Sequence, residues 1–154
     1  MKNPEKKFPI YFRKFELPKE AGDNNYRVYR ACKTHKLDKE SFTPSFEENN
    51  FSYTPEEDEQ DPSLYSLSVF QNPKDIKRFI KSRPTCPPCK IAVGYTNPSC
   101  GPSVLTSIYK PINPKTGKKN KSSHVDWWLY ENAEPYLYFS LIDDFEMYMK
   151  NLKE

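Results

Sequence analysis

Ser122-Ser123-His124-Val125-Asp126-Trp127-Trp128-Leu129-Tyr130-Glu131 is the stretch from which the fold is read. Side chains of a strand alternate between its two faces. That period puts His124, Asp126, Trp128 and Tyr130 on one face, and Val125, Trp127 and Leu129 on the other. The second set is apolar and reads as a core face. The first reads as the polar side of a half-buried strand, meeting solvent. A strand is expected over 125–130.

Moving outward, 113–121 (Asn-Pro-Lys-Thr-Gly-Lys-Lys-Asn-Lys) is a basic turn or hairpin tip, and Glu134-Pro135 ends the strand on its other side. The run 136–142 resumes a strand-like pattern. Asp143 and Glu146 then form a capping box, with Phe145, Tyr148, Met149 and Leu152 on one face of a closing helix. Upstream, Lys90-Ile91-Ala92-Val93-Gly94-Tyr95 is a short apolar run, read as a central strand. Asn72-Pro73 supplies an N-cap and a proline at the first helical position. Ile76, Phe79 and Ile80 recur at helical spacing, so a helix covers 73–82 and Arg83-Pro84 stops it. Residues 64–70 and 26–31 read as strands, 41–46 as an extended aromatic loop, and the acidic run 56–62 as solvated loop.

Strands, a helix, more strands and a closing helix define an α+β class. The expectation is one small domain over 1–154, a mostly antiparallel sheet with two short helices and long Pro-rich loops. Residues 1–25 form an arm packed across it, carrying Phe8, Tyr11, Phe12 and Phe15.

Composition agrees. Hydrophobic residues are 36% of the chain while aromatics reach 15%, so the core is expected to rest on Tyr, Phe and Trp. Fifteen Pro against four Gly favour ordered extended loops over long helices. The net charge of +3 balances 24 basic against 21 acidic groups, too even to force a nucleic-acid reading. No run approaches the roughly 20 apolar residues that span a bilayer. The basic start leads into no apolar leader, so the expected setting is cytoplasmic. Four Cys there favour free thiols or metal ligands over disulfides.

Two places hold candidate chemistry. Cys32-Lys33-Thr34-His35 and Cys86-Pro87-Pro88-Cys89 are C-x-x-H and C-x-x-C pairs. Residues at that spacing on tight turns point two donors at one tetrahedral ion, which makes Cys32, His35, Cys86 and Cys89 a candidate zinc set. Ordinary packed thiols are the competing reading, and Cys100 is a spare candidate. The second place is the 122–131 strand. A His with an Asp two residues on is a candidate general base with its orienting carboxylate, or a group that holds a base or ribose beside aromatic rings such as Tyr130. Lys118 and Lys119, with Lys115 and Lys121, add a positive field that would attract a phosphate-bearing ligand.

Tyr26-Arg27-Val28-Tyr29-Arg30, followed by Ser41-Phe42 and Pro44-Ser45, resembles the opening of small bacterial ADP-ribosyltransferase-like domains of the RES kind. The resemblance covers about the first third of the chain. In such domains a strand-borne Arg holds the nicotinamide dinucleotide. The resemblance implies that role for Arg27 or Arg30, NAD as cofactor and Glu131 as the late acidic residue.

Two functions follow as expectations. One is an accessory binding protein, zinc-stabilised or not, acting through a protein or nucleic-acid partner and without a membrane. The other is a small nucleotide- or NAD-acting enzyme using Arg27 or Arg30 with His124, Asp126 and Glu131. The second requires those side chains to converge in one pocket.

Overall fold

The structure, a computed structural model, describes residues 7–52, 54, 57–82 and 89–152. Its centre is the pairing of β1 (Arg27–Cys32) with β3 (Lys90–Tyr95), antiparallel from Arg27↔Tyr95 to Cys32↔Lys90. Around this pair lie β2 (Leu67–Phe70), β4 (Ser103–Leu105), β5 (His124–Trp127) and β6 (Phe139–Ile142). They make one six-stranded antiparallel sheet in the order β4-β5-β2-β1-β3-β6. Among the described residues, helices α1 (Ser45–Glu48) and α3 (Thr106–Tyr109) are single turns, whereas α2 (Pro73–Ser82) and α4 (Phe145–Leu152) run longer. The molecule is an α+β domain with two short helices of substance, as the sequence implies.

The alternation read from 125–129 decides the layers. Val125, Trp127 and Leu129 join Val28, Leu67 and Val69 in one cluster, capped by Phe42 and Phe139. On the opposite face Tyr29, Ala31, Phe70 and Ile91 pack against Ile76 of α2, with Phe145 and Tyr148 of α4 half-buried beside them. A third cluster is built by the arm. Phe12 and Phe15 pack with Phe46, Tyr65, Val104 and Trp128, and the Phe15 and Tyr65 rings stack with centroids 4.4 Å apart. Aromatics dominate the interior: Trp127, Trp128, Tyr29, Tyr65 and Phe46 head the fully buried side chains. Truncating such a residue to Ala costs about 3–5 kcal/mol. Gly94 permits the β3–β6 approach, because a Cβ there would lie 2.5 Å from the Phe139 ring and from the Tyr138 carbonyl.

α2 begins as its sequence predicts, with Asn72 Oδ1 accepting from Lys74 N at 2.9 Å and Pro73 at the first helical position. α4 begins one residue later than the expected box. Asp144, not Asp143, accepts from Met147 N at 3.0 Å, because Asp144 stands directly before the first helical residue. The 41–46 segment is not extended. It winds into a 3-10 turn (Glu40–Phe42) and α1, which buries Phe42 and Phe46 in separate clusters. β2 starts at Leu67, later than expected, because Pro62–Tyr65 coils under an Asp61 side-chain cap on Ser63 N. β5 is shorter than 125–130, and 136–142 divides into a 3-10 turn (Pro135–Tyr138) and β6. β4 and α3 carry no signal that the periodicity resolves. Of the acidic run 56–62, residues 57–60 are exposed as a solvated loop would be, whereas Asp61 and Pro62 are half-buried, Asp61 being ion-paired with Lys110 at 2.7 Å, and residue 56 lies outside the described residues. The Arg83-Pro84 helix stop lies outside the described residues.

Candidate functional site

Asp126 sits in mid-β5, paired with Ser68 on one side and Val104 on the other, and is fully buried. The solvated polar face expected for this strand is therefore replaced by burial at Asp126 and Trp128, while His124 and Tyr130 are half-buried. Three hydroxyls converge on the carboxylate: Ser66 donates to Oδ1 at 2.5 Å, and Thr106 and Tyr109 donate to Oδ2 at 2.7 and 2.5 Å. A buried carboxylate is tolerated when donors replace its water, and these three do so. Tyr109 in turn is pushed well above the ordinary phenol range, first by burial and then by the charge of Asp126.

His124 enters through Thr106. Its Nδ1 lies 2.6 Å from Thr106 Oγ1 and 3.9 Å from Asp126 Oδ1. A threonine hydroxyl has one hydrogen, and here it is given to Asp126. The short contact to His124 is then Nδ1–H donating to Thr106, a relay running His124 to Thr106 to Asp126. Nε2 has no protein partner among the described residues and is not sealed from solvent. Its lone pair faces outward. Burial holds the imidazole below its ordinary pKa; Asp126 opposes this, while Lys110 and Arg30 reinforce it. Phe70 meets the ring edge-on at 5.2 Å. Sequence reading found His124 and Asp126 but not Ser66, Thr106 or Tyr109, which come from segments remote in the chain.

The remaining candidates separate. Arg27 and Arg30 lie three positions apart on β1, so alternation sends them to opposite faces. Arg27 is exposed on the α4 side and donates to Tyr148 Oη at 2.8 Å. Arg30 is buried, donating from Nε to the Ser41 carbonyl and from Nη1 to the Ser68 carbonyl, each at 2.9 Å, with Glu48 at 3.9 Å. Lys118 and Lys119 are exposed on a turn closed by the Ile112↔Lys119 bridge.

Of the zinc set, Cys86 lies outside the described residues. Cys32 is buried, and burial pushes its thiol up to about 11. His35 occupies a left-handed turn at φ 65°, and Cys89 is half-buried. Among the described residues, no three Cys, His, Asp or Glu side chains gather as metal ligands would. The loop after Cys32 is organised by the Asp38 carboxylate. Asp38 accepts from Thr34 and from the Ser41 backbone N–H at 2.9 Å, and that N–H bond leads the effects that hold Asp38 below the usual carboxylate range.

Tyr130 and Glu131 line a different feature, a cleft of about 840 Å³ between the arm and the segments 39–51 and 129–136. Its walls are aromatic, with Phe8, Tyr11, Phe42, Phe51, Tyr130 and Tyr136. Lys7, Arg13 and Lys39 also line it, all exposed and none ion-paired among the described residues. Of its two acids, Glu47 accepts from Tyr11 Oη at 2.5 Å, while Glu131 has no such partner among the described residues. Phe51 is 60% exposed at φ 61°. A left-handed bulky residue costs about 1–2 kcal/mol, and such strain concentrates at binding and catalytic sites. The arm's contribution was visible in the sequence as its aromatic insert; its meeting with 129–136 was not. His124, Asp126, Arg27 and Arg30 do not line this cleft. No family model, curated protein or solved structure matches the chain.

Proposed function

We propose that this is an accessory binding protein whose cleft takes a nucleotide, free or as a unit of single-stranded nucleic acid. The supporting observation is the pairing of aromatic walls with three cations that have no ion pair among the described residues, Lys7, Arg13 and Lys39. Every base has a π-face that stacks on Phe or Tyr, and its phosphate seeks Lys and Arg. A volume of about 840 Å³ is in the range of small-molecule and cofactor sites. A cytoplasmic setting goes with this reading, since nucleotides and free thiols share that compartment. Among the described residues no helix is long and apolar enough to cross a membrane.

The enzymatic alternative, a nucleotide- or NAD-acting protein of ADP-ribosyltransferase-like type, retains Glu131 in the cleft. It draws less support, because Arg27 and Arg30 lie outside the lining and on opposite faces of β1.

Calorimetric titration of the full chain with mononucleotides and with short single-stranded RNA and DNA tests the proposal. Binding of mononucleotides alone identifies the free ligand; much tighter binding of oligonucleotides identifies nucleic acid. Lys39→Glu with Arg13→Glu weakens either by on the order of tenfold or more, and added salt weakens it further. No heat and no rise in melting temperature with either class, at millimolar nucleotide, overturns the reading.

A further inference from the structure

We infer that the cleft prefers guanine among the bases, an inference that rests on the nucleotide reading and assigns Glu131 as the specificity-determining residue. The segment 130–133 forms a tight turn, closed by Ala133 N donating to the Tyr130 carbonyl at 3.1 Å. Asn132 takes the left-handed position in it, at φ 66°, a conformation that Asn tolerates. Glu131 N donates to the Lys7 carbonyl at 2.6 Å, which ties the turn directly to the arm. With Tyr130 N donating to the Cys100 carbonyl at 2.8 Å, the start of the turn is fixed to two other segments. Its Glu131 carboxylate is exposed and has no hydrogen bond or ion pair among the described residues. The neighbouring Tyr130 ring is held against Phe8, with centroids 4.9 Å apart.

A carboxylate has only acceptors to offer, two oxygens side by side. The Watson–Crick edge of guanine presents two adjacent donors, N1–H and the N2 amino group, and matches that pair in a bidentate contact. Adenine and cytosine each set a donor beside an acceptor lone pair, and uracil flanks its single N–H with carbonyl oxygens. All three place a lone pair against a negative charge. The other acid lining the cleft, Glu47, already accepts from Tyr11, so Glu131 is the carboxylate left for a ligand. Charge-assisted contacts of this kind are stronger than neutral ones. A bidentate base contact is worth roughly tenfold to a hundredfold in discrimination.

The test is calorimetric titration of the full chain with GMP, IMP, AMP, CMP and XMP, repeated on Glu131→Gln. Glu131 is exposed, so the variant keeps the wild-type melting temperature. The expected order is GMP above IMP, which lacks the N2 amino group, and IMP above AMP and CMP. Glu131→Gln loses the GMP preference and gains XMP, because a carboxamide offers one acceptor and one donor to the N1–H and C2 carbonyl of xanthine. Equal binding of GMP and AMP, unchanged by Glu131→Gln, overturns the guanine inference and leaves the nucleotide reading standing. Failure of every nucleotide to bind overturns both.

Discussion

Tyr109, in α3, donates its phenol hydrogen to the Asp126 carboxylate in β5 at 2.5 Å, so a one-turn helix is held to the sheet through a buried charge. Ser66 and Thr106 complete the set of donors. Asp126→Ala removes the acceptor that three hydroxyls share, of which Ser66 and Thr106 are themselves buried, and opens space around them. The expected loss is about 3 kcal/mol or more. In a chain of this size that is a drop of roughly 6–12 °C in melting temperature. Asp126→Asn keeps an acceptor and costs less. Chemical denaturation of both variants is the check, and a loss under 1 kcal/mol for Asp126→Ala contradicts the network as a structural tie.

The titration of His124 gives stability a pH dependence of definite sign. Burial leads the effects that hold its folded value below the ordinary 6.5. Between the folded value and about 6.5 the unfolded chain binds the proton and the folded chain does not. Stability therefore falls as pH drops through this window. Denaturation midpoints at pH 7.5 and 5.5 should show the decrease, and His124→Asn should flatten that part of the curve. An imidazole NMR titration midpoint above 6.5 contradicts the buried, relay-held state.

Phe51 separates strain from packing. Its φ of 61° is costly for an aromatic residue, and the side chain is 60% exposed, touching Tyr11 and Phe46 with centroids 5.8 and 6.0 Å away. Phe51→Gly removes the backbone cost, about 1–2 kcal/mol, and loses about 0.5–1.5 kcal/mol per aromatic pair. These nearly cancel, so global stability stays within about 1 kcal/mol of wild type. Nucleotide affinity in the cleft falls several-fold. A destabilisation above 2 kcal/mol with affinity retained would instead make Phe51 a packing residue.

Cys32 and Cys100 are both buried, and burial raises both thiols. A thiol near 11 is protonated at neutral pH, and the thiolate is the reactive form. Labelling with a disulfide reagent at pH 7.5, mapped by mass spectrometry, should leave both unmodified in the folded chain and modify both in denaturant. Rapid labelling of Cys32 in the native state would show that β1 opens.

Much of the architecture was readable from local pattern. The Val125, Trp127 and Leu129 alternation named the core face correctly, and Asn72-Pro73 placed the start of α2. β4 and α3 were not readable. Three strand residues followed by a four-residue turn have too short a period to stand out, and they form because Ser103, Val104 and Leu105 find partners in β5. Of the candidate site, His124 and Asp126 were legible as a pair of residue types, whereas the donors to Asp126 come from positions 66, 106 and 109. The cleft was legible only as an aromatic-rich arm, since its far wall lies more than a hundred residues along the chain.

By itself the sequence determined the α+β class, the positions of the two longer helices and the aromatic character of the core, because these depend on periodicity and composition within short windows. The tertiary structure decided which faces are covered. It buried Asp126 under α3 where local alternation implied solvent, sent Arg30 into the interior and left Arg27 at the surface. It also brought Lys7 to Glu131. The physical reason is common to all of these. A side chain's own pattern says which way it points, but the element that lies over it arrives from elsewhere in the chain, and that element decides whether it meets water, a partner or a ligand.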